Sequence, residues 1–188
     1  MIKNPSENAI VGKTCLFGTP PPRGTADAVR KRDIDFLGMV KEAEENAGKT
    51  YDQITSITGP ALHTMHTWHY VRETMFKGDV EGARSFYNGQ EATKLLSAWN
   101  VANGYKYSFG VDLEDFQVSR EEYCKKAGNA AFSTFAVIKD GVWYERGKMG
   151  WWAMVADEKN ERSWNEEVKS LMDSVSDETL ISVYDCHI

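Results

Sequence analysis

Three of the four histidines fall within seven residues, as His63-Thr64-Met65-His66-Thr67-Trp68-His69, and the fourth is the penultimate His187. Thr58-Gly59-Pro60 opens a segment whose apolar positions Ala61, Met65, Trp68, Val71 and Met75 recur at helical spacing, with Gly78 as a stop. On such a helix His66, His69 and Glu73 share one ridge beside the apolar stripe, three and four residues apart, where side chains meet. Two imidazoles and a carboxylate suit zinc, or iron or manganese with open positions. Asp185, Cys186 or His187 near the C-terminus would complete such a site, as a further ligand or a general base, if the chain ends nearby. The same histidines equally fit the polar boundary of an amphipathic helix. The spacing also lacks the glutamate of the H-E-x-x-H motif.

A second concentration is Lys139-Asp140-Gly141-Val142-Trp143-Tyr144-Glu145-Arg146-Gly147-Lys148-Met149-Gly150-Trp151-Trp152, which holds three of the six tryptophans. Aromatics beside cations on a sheet stack a base or hold an anionic ligand, and they also fill a core with charges at its rim. Trp151 and Trp152 are neighbours, so on one regular strand they face opposite sides and only one enters a core covered from one side. Trp143, Arg146, Trp151 and Trp152 are therefore candidate contacts for a protein partner or a small aromatic or anionic ligand. Other chemistry is thinly represented. Gly12-Lys13-Thr14 lacks the glycine that a phosphate loop needs five positions earlier, where Glu7 stands. No G-x-S-x-G nucleophile signature is present, and Cys186 beside His187 on a strand points away from it, as a buried structural thiol would.

The elements expected to position these residues change character along the chain. Residues 1–24 read as an extended arm ending in Pro20-Pro21-Pro22, and 25–103 as a helical region. Within it, a helix capped by Thr25 is expected from about Ala26 to Ala47 with Gly48 as its stop, then the histidine helix, then shorter helices over 79–87 and 90–102. From residue 104 to 188 the period shifts. Tyr105, Tyr107, Phe109, Val111 and Leu113 alternate with smaller or polar residues, as in a half-buried strand. Ser119-Arg120-Glu121-Glu122 and Ser163-Trp164-Asn165-Glu166 are capping boxes that open helices. Between them, 135–138 and 142–145 flank the turn Asp140-Gly141, residues 151–155 form a further candidate strand, and 180–184 form the last. The order strand, helix, hairpin, helix, strand is the βαββαβ order of a ferredoxin-like plait, so an α+β fold with an antiparallel sheet is expected.

With 188 residues, 41 % hydrophobic and 27 % charged, the chain can bury a core in one domain or two small halves. Its net charge of −6 leaves no basic excess for phosphates, which argues against general nucleic-acid or anionic-membrane binding. The longest apolar stretch, 151–156, is too short to span a bilayer, and MIKNPSENAIVG lacks the regions of a signal peptide. Three widely spaced cysteines, Cys15, Cys124 and Cys186, fit free thiols in a reducing cytosol.

The run from Phe135 to Trp152, then Trp164-Asn165, Asp177-Glu178-Thr179-Leu180 and the terminal Asp185-Cys186-His187-Ile188, resembles the C-terminal region of a group of uncharacterised bacterial, phage and plasmid proteins. The resemblance covers under a third of the chain and implies a bacterial or mobile-element context. It carries no activity, cofactor or site residue with it. The expected function is a non-catalytic soluble binding protein, such as a phage or mobile-element accessory factor, that uses a tryptophan-rich sheet face. The alternatives are a metal-dependent hydrolase at His66, His69 and Glu73, and a structural subunit of a larger particle.

Overall fold

The computed structural model describes residues 28–107, 111–150 and 154–184. They fall into two compact units: residues 43–127 form one, and the stretches up to Glu42 and from Gly128 form the other. The expected proline arm over 1–24 lies outside the described residues. The fold is α+β, with helices and small antiparallel ladders.

The flanking unit begins with β1 (Ala28–Arg30), where the sequence pattern predicts helix. Ala28 and Val29 are buried, and β1 pairs antiparallel with the last strand (Leu180–Ser182), Val29 opposite Ile181. Lys31 and Arg32 extend this clip by donating their N–H groups to the Thr179 and Asp177 carbonyls at 2.9 and 3.1 Å. The helix α1 (Phe36–Thr58) starts only after Asp35, whose Oδ1 accepts from Gly38 N at 3.1 Å. It then runs straight through Gly48, the expected stop. A Cβ there would sit 2.5 Å from Arg120 Nη2, the mobile end of an exposed side chain that would have to shift to admit it. The actual stop is Gly59 at φ +54, whose N–H reaches the Thr55 carbonyl at 2.8 Å.

In the central unit α1 is followed by α2 (Ala61–Thr64), α3 (Trp68–Tyr70) with a π-helical continuation (Val71–Met75), α4 (Val80–Gly89) and α5 (Glu91–Ala102). Ile54, Leu62, Met65, Ala92, Leu96, Leu113 and Phe116 make its core. The strand expected over 105–113 is absent from the described part of that range. Tyr105 has a positive φ of 58°, residues 105–107 are turn, and Leu113–Gln117 is a 3-10 helix. At Tyr107, Val111 and Leu113 the alternation reflects burial without a ladder, whereas Tyr105 is exposed. Tyr107 and Val111 pack on the helical core, while the Tyr107 amide and carbonyl are held by the Asn100 side chain at 2.9 and 3.3 Å.

Ser119 caps α6 (Arg120–Asn129) as expected, its Oγ accepting from Glu122 N at 3.2 Å. Arg120 then donates from Nε and Nη2 to both carboxylate oxygens of Asp52, at 2.7 and 3.0 Å. These hydrogen bonds hold the Asp52 carboxyl below the usual carboxylate range. A depressed carboxyl stabilises the fold at pH values above the unfolded pKa, and that contribution is lost as pH falls through the folded value. The melting-temperature difference between the parent and Asp52→Asn should therefore be small at neutral pH, because the pair is exposed, begin to shrink near about pH 4, and vanish only once pH has fallen below the lowered folded value. A thermal melt series across that range checks it.

In the flanking unit β2 (Ala136–Lys139) and β3 (Val142–Glu145) form the expected hairpin, Lys139 pairing with Val142. Asp140 and Gly141 both have positive φ, 51° and 76°, as a two-residue type I′ turn demands. Strands β4 (Lys148–Met149) and β5 (Val155–Ala156) make a second short ladder. The helix α7 (Glu161–Asp173) begins before the expected Ser163 cap, because Asn160 Oδ1 accepts from Arg162 N at 2.9 Å. Trp164 and Val168 are its buried residues. The last strand is β6 (Leu180–Ser182). Among the described residues the strands pair as three separate two-stranded ladders, β1–β6, β2–β3 and β4–β5, rather than as the single sheet of a plait.

Candidate functional site

Two surfaces hold the residues singled out by their chemistry, one in each unit. In the central unit the expected histidine helix is interrupted. Met65 is extended (ψ 144°), as is Thr67 (ψ 152°), whose Oγ1 then caps α3 by accepting from Tyr70 N at 3.2 Å. No glycine or proline causes this break, and its orphaned backbone groups are satisfied by side chains from elsewhere in the unit. Gln117 Nε2 donates to the Leu62 and Met65 carbonyls, both at 3.0 Å. Gln90 pairs with His66 twice: His66 N donates to Oε1 at 2.6 Å and Nε2 donates to the His66 carbonyl at 3.0 Å. The Glu114 carboxylate accepts from Trp68 N and, at 3.3 Å, from the Tyr87 hydroxyl. Burial, reinforced by Glu114 and Asp112, pushes the Tyr87 phenol well above the usual tyrosine range.

The consequence for the histidines is a change of surroundings. The exposed His66 ring lies against Tyr70 and Phe86, with centroid distances of 5.2 and 6.2 Å, and Phe86 in turn meets Phe76 at 5.6 Å. His69 and Glu73 are exposed, and Glu73 is paired with Arg72 Nε at 3.2 Å. The single ridge expected for His66, His69 and Glu73 is thus broken at its first member, which lies in the extended link and not on a helix. Among the described residues no group of three or more His, Cys, Asp or Glu side chains is placed to hold a metal ion. Asp185, Cys186 and His187 lie outside the described residues.

In the flanking unit the β2–β3 register sets Ile138 directly opposite Trp143. Both project from the same face, and both are open to solvent, at 68 % and 54 % exposure. Trp143 Nε1 donates to Glu145 Oε2 at 2.8 Å, two residues along the same face, which fixes the indole against the strand. Val137 and Tyr144, on the opposite face, are half-buried. At the hairpin tip Lys139 Nζ meets Asp140 at 2.6 Å, which raises the lysine pKa.

Arg146, a candidate contact, is bonded at its backbone and its side chain within this unit. Its N–H donates to the Phe135 carbonyl at 2.9 Å, its carbonyl accepts from Lys159 N at 2.7 Å, and Nη2 meets Glu158 Oε1 at 2.8 Å. It is a tie between the two hairpins of this unit, with Nε buried and unpartnered among the described residues. Trp151 and Trp152 lie outside the described residues. No helix among the described residues is long and apolar enough to cross a membrane. No protein-family model, curated protein or solved structure matches this chain.

Proposed function

We propose that this protein is a non-catalytic binding protein of the bacterial cytosol, an accessory factor of phage or mobile-element type, that docks a protein partner on the Ile138–Trp143 face of its β2–β3 hairpin. The observation that carries this reading is an exposed tryptophan set opposite an exposed isoleucine on one ladder. Large apolar side chains that stay together in water mark an interaction surface more often than scattered single ones do. Tryptophan is also the side chain most enriched among residues that dominate binding energy. The Glu145 hydrogen bond adds preorganisation, because an indole already held in one rotamer loses less freedom on docking. The metal-dependent hydrolase reading, built on His66, His69, Glu73 and His187 with zinc, iron or manganese, has no comparable support among the described residues.

The test separates binding from folding. Trp143→Ala and Ile138→Ser are exposed changes and should alter unfolding free energy by no more than about 0.5 kcal/mol. Each should weaken the complex isolated from the source cells by about 30-fold or more, as loss of a central anchor does. Unchanged affinity in both variants, with the fold intact, overturns the proposal. A small aromatic or anionic ligand in place of a protein would show itself as quenching of Trp143 fluorescence by the ligand alone.

A further inference from the structure

The chain contains two Asn-Gly pairs, Asn88-Gly89 and Asn103-Gly104, both within the central unit. This dipeptide is the one in which a backbone amide most readily attacks the preceding side chain, since glycine has no Cβ to obstruct the ring that forms. All four residues are exposed, so access does not distinguish the pairs. Backbone conformation does. Asn88 and Gly89 are the last two residues of α4, where helical geometry holds the Gly89 N–H in the i→i−4 ladder. Asn103 follows the end of α5 with φ −111° and ψ 26°, and Gly104 is in the left-handed region at φ +70°. The Gly104 N–H makes only a long 3.4 Å bond to the Val101 carbonyl.

We propose that Asn103-Gly104 is a site of spontaneous covalent modification, converting to aspartate and isoaspartate in the folded protein while Asn88-Gly89 is protected by its helix. The Gly104 nitrogen attacks Asn103 Cγ, the N–Cγ bond forms, the Cγ–Nδ2 bond breaks, and Nδ2 leaves as ammonia with the Gly104 proton. Water then adds to either carbonyl of the five-membered imide and opens it, leaving a carboxylate on the side chain or on the rerouted main chain. The change is not silent for the fold. Asn103 Nδ2 now donates to the Trp99 carbonyl at 2.8 Å. A carboxylate in its place faces that carbonyl acceptor at the negative end of α5. The turn it would loosen is the one fastened to Asn100, through Tyr105 N to the Asn100 carbonyl at 2.8 Å and through Tyr107.

Trypsin cuts after Arg84, Lys94 and Lys106, so peptides 85–94 and 95–106 each carry one Asn-Gly pair. The full chain is incubated at mildly alkaline pH, folded and in denaturant, and both peptides are followed for a mass gain of about 1 Da, localised by fragmentation. In denaturant the two should convert at similar rates. In the folded chain conversion at Asn103 should exceed that at Asn88 by about tenfold or more, and Asn103→Gln should abolish the gain in 95–106. Equal rates in the folded chain, faster conversion at Asn88, or conversion only in denaturant would each overturn the proposal.

Discussion

Trp164→Ala is expected to remove about 3–5 kcal/mol of unfolding free energy, the largest effect of any single change considered. Trp164 is 1 % exposed and is the bulkiest fully buried side chain among the described residues. Its Nε1 donates to the Thr134 carbonyl at 2.5 Å, which ties α7 to the segment leading into β2. Lys159 Nζ lies 4.9 Å from the ring centroid, held by Glu167 at 2.7 Å. Truncation to alanine leaves a cavity the size of an indole, removes the donor from Thr134 and takes the ring from beneath the lysine. Domains of this size have a total stability of about 5–15 kcal/mol, so the loss is a substantial fraction of it. Trp164→Phe keeps most of the packing but not the donor and should lose less than Trp164→Ala. Urea titration of the three proteins gives this order. A loss below about 1 kcal/mol for alanine would mean that the indole does not fill a core.

The second large effect is expected at Gln117. One side-chain amide satisfies two carbonyls, of Leu62 and Met65, at a place where Leu62 is fully buried and Met65 is 7 % exposed. Gln117→Ala should cost about 1–3 kcal/mol, the penalty for carbonyls left without a donor away from water. Gln117→Glu should cost at least as much, because an acceptor then faces two acceptors. Gln90→Ala is the contrasting case: its partner His66 is exposed, so water replaces the lost bonds and the cost should be smaller. Hydrogen exchange at residues 65–70 localises the effect, with protection lost in Gln117→Ala before the rest of the unit opens. Equal costs at Gln90 and Gln117 would contradict the idea that burial at the break sets the scale.

How far the fold was legible in the sequence follows from how far away each determinant lies. The Asp140-Gly141 hairpin, the Ser119 cap and helices α4 and α5 depend on residues a few positions apart, and the sequence reading places them. The break at Met65–Thr67 depends on Gln90, Glu114 and Gln117, which lie 24 to 55 residues further on, and a helical apolar stripe gives no sign of them. The pattern of Ala61, Met65, Trp68 and Val71 is real, but it records which residues meet the core and not whether the backbone between them stays helical. The same confusion of burial with hydrogen bonding turned the alternation over 105–113 into an expected strand. Residues 28–30 failed for the opposite reason: as a strand they are defined by a partner about 150 residues away at Leu180–Ser182.

At the candidate site, the presence of Trp143 on a hairpin was legible. Its pairing with Ile138 follows from the two-residue turn, because Lys139 opposite Val142 sets the register of the whole ladder. The role of Arg146 was not legible. Its ion pair with Glu158, twelve residues further on, has no signal in the local sequence pattern. Nor was the aromatic setting of His66 legible, since Phe86 stands twenty residues further along the chain.

The most direct test of the docking face places a photoreactive phenylalanine analogue at position 143 in the full chain, expressed in the source cells and irradiated there. Val101, 57 % exposed on α5 in the other unit, is the control position. The expected result is one adduct of defined mass from position 143, abolished by Ile138→Asp and absent from position 101. Adducts of the same mass from both positions, or none from 143 while the chain is folded and abundant, would contradict the assignment of the hairpin face as the site of partner binding.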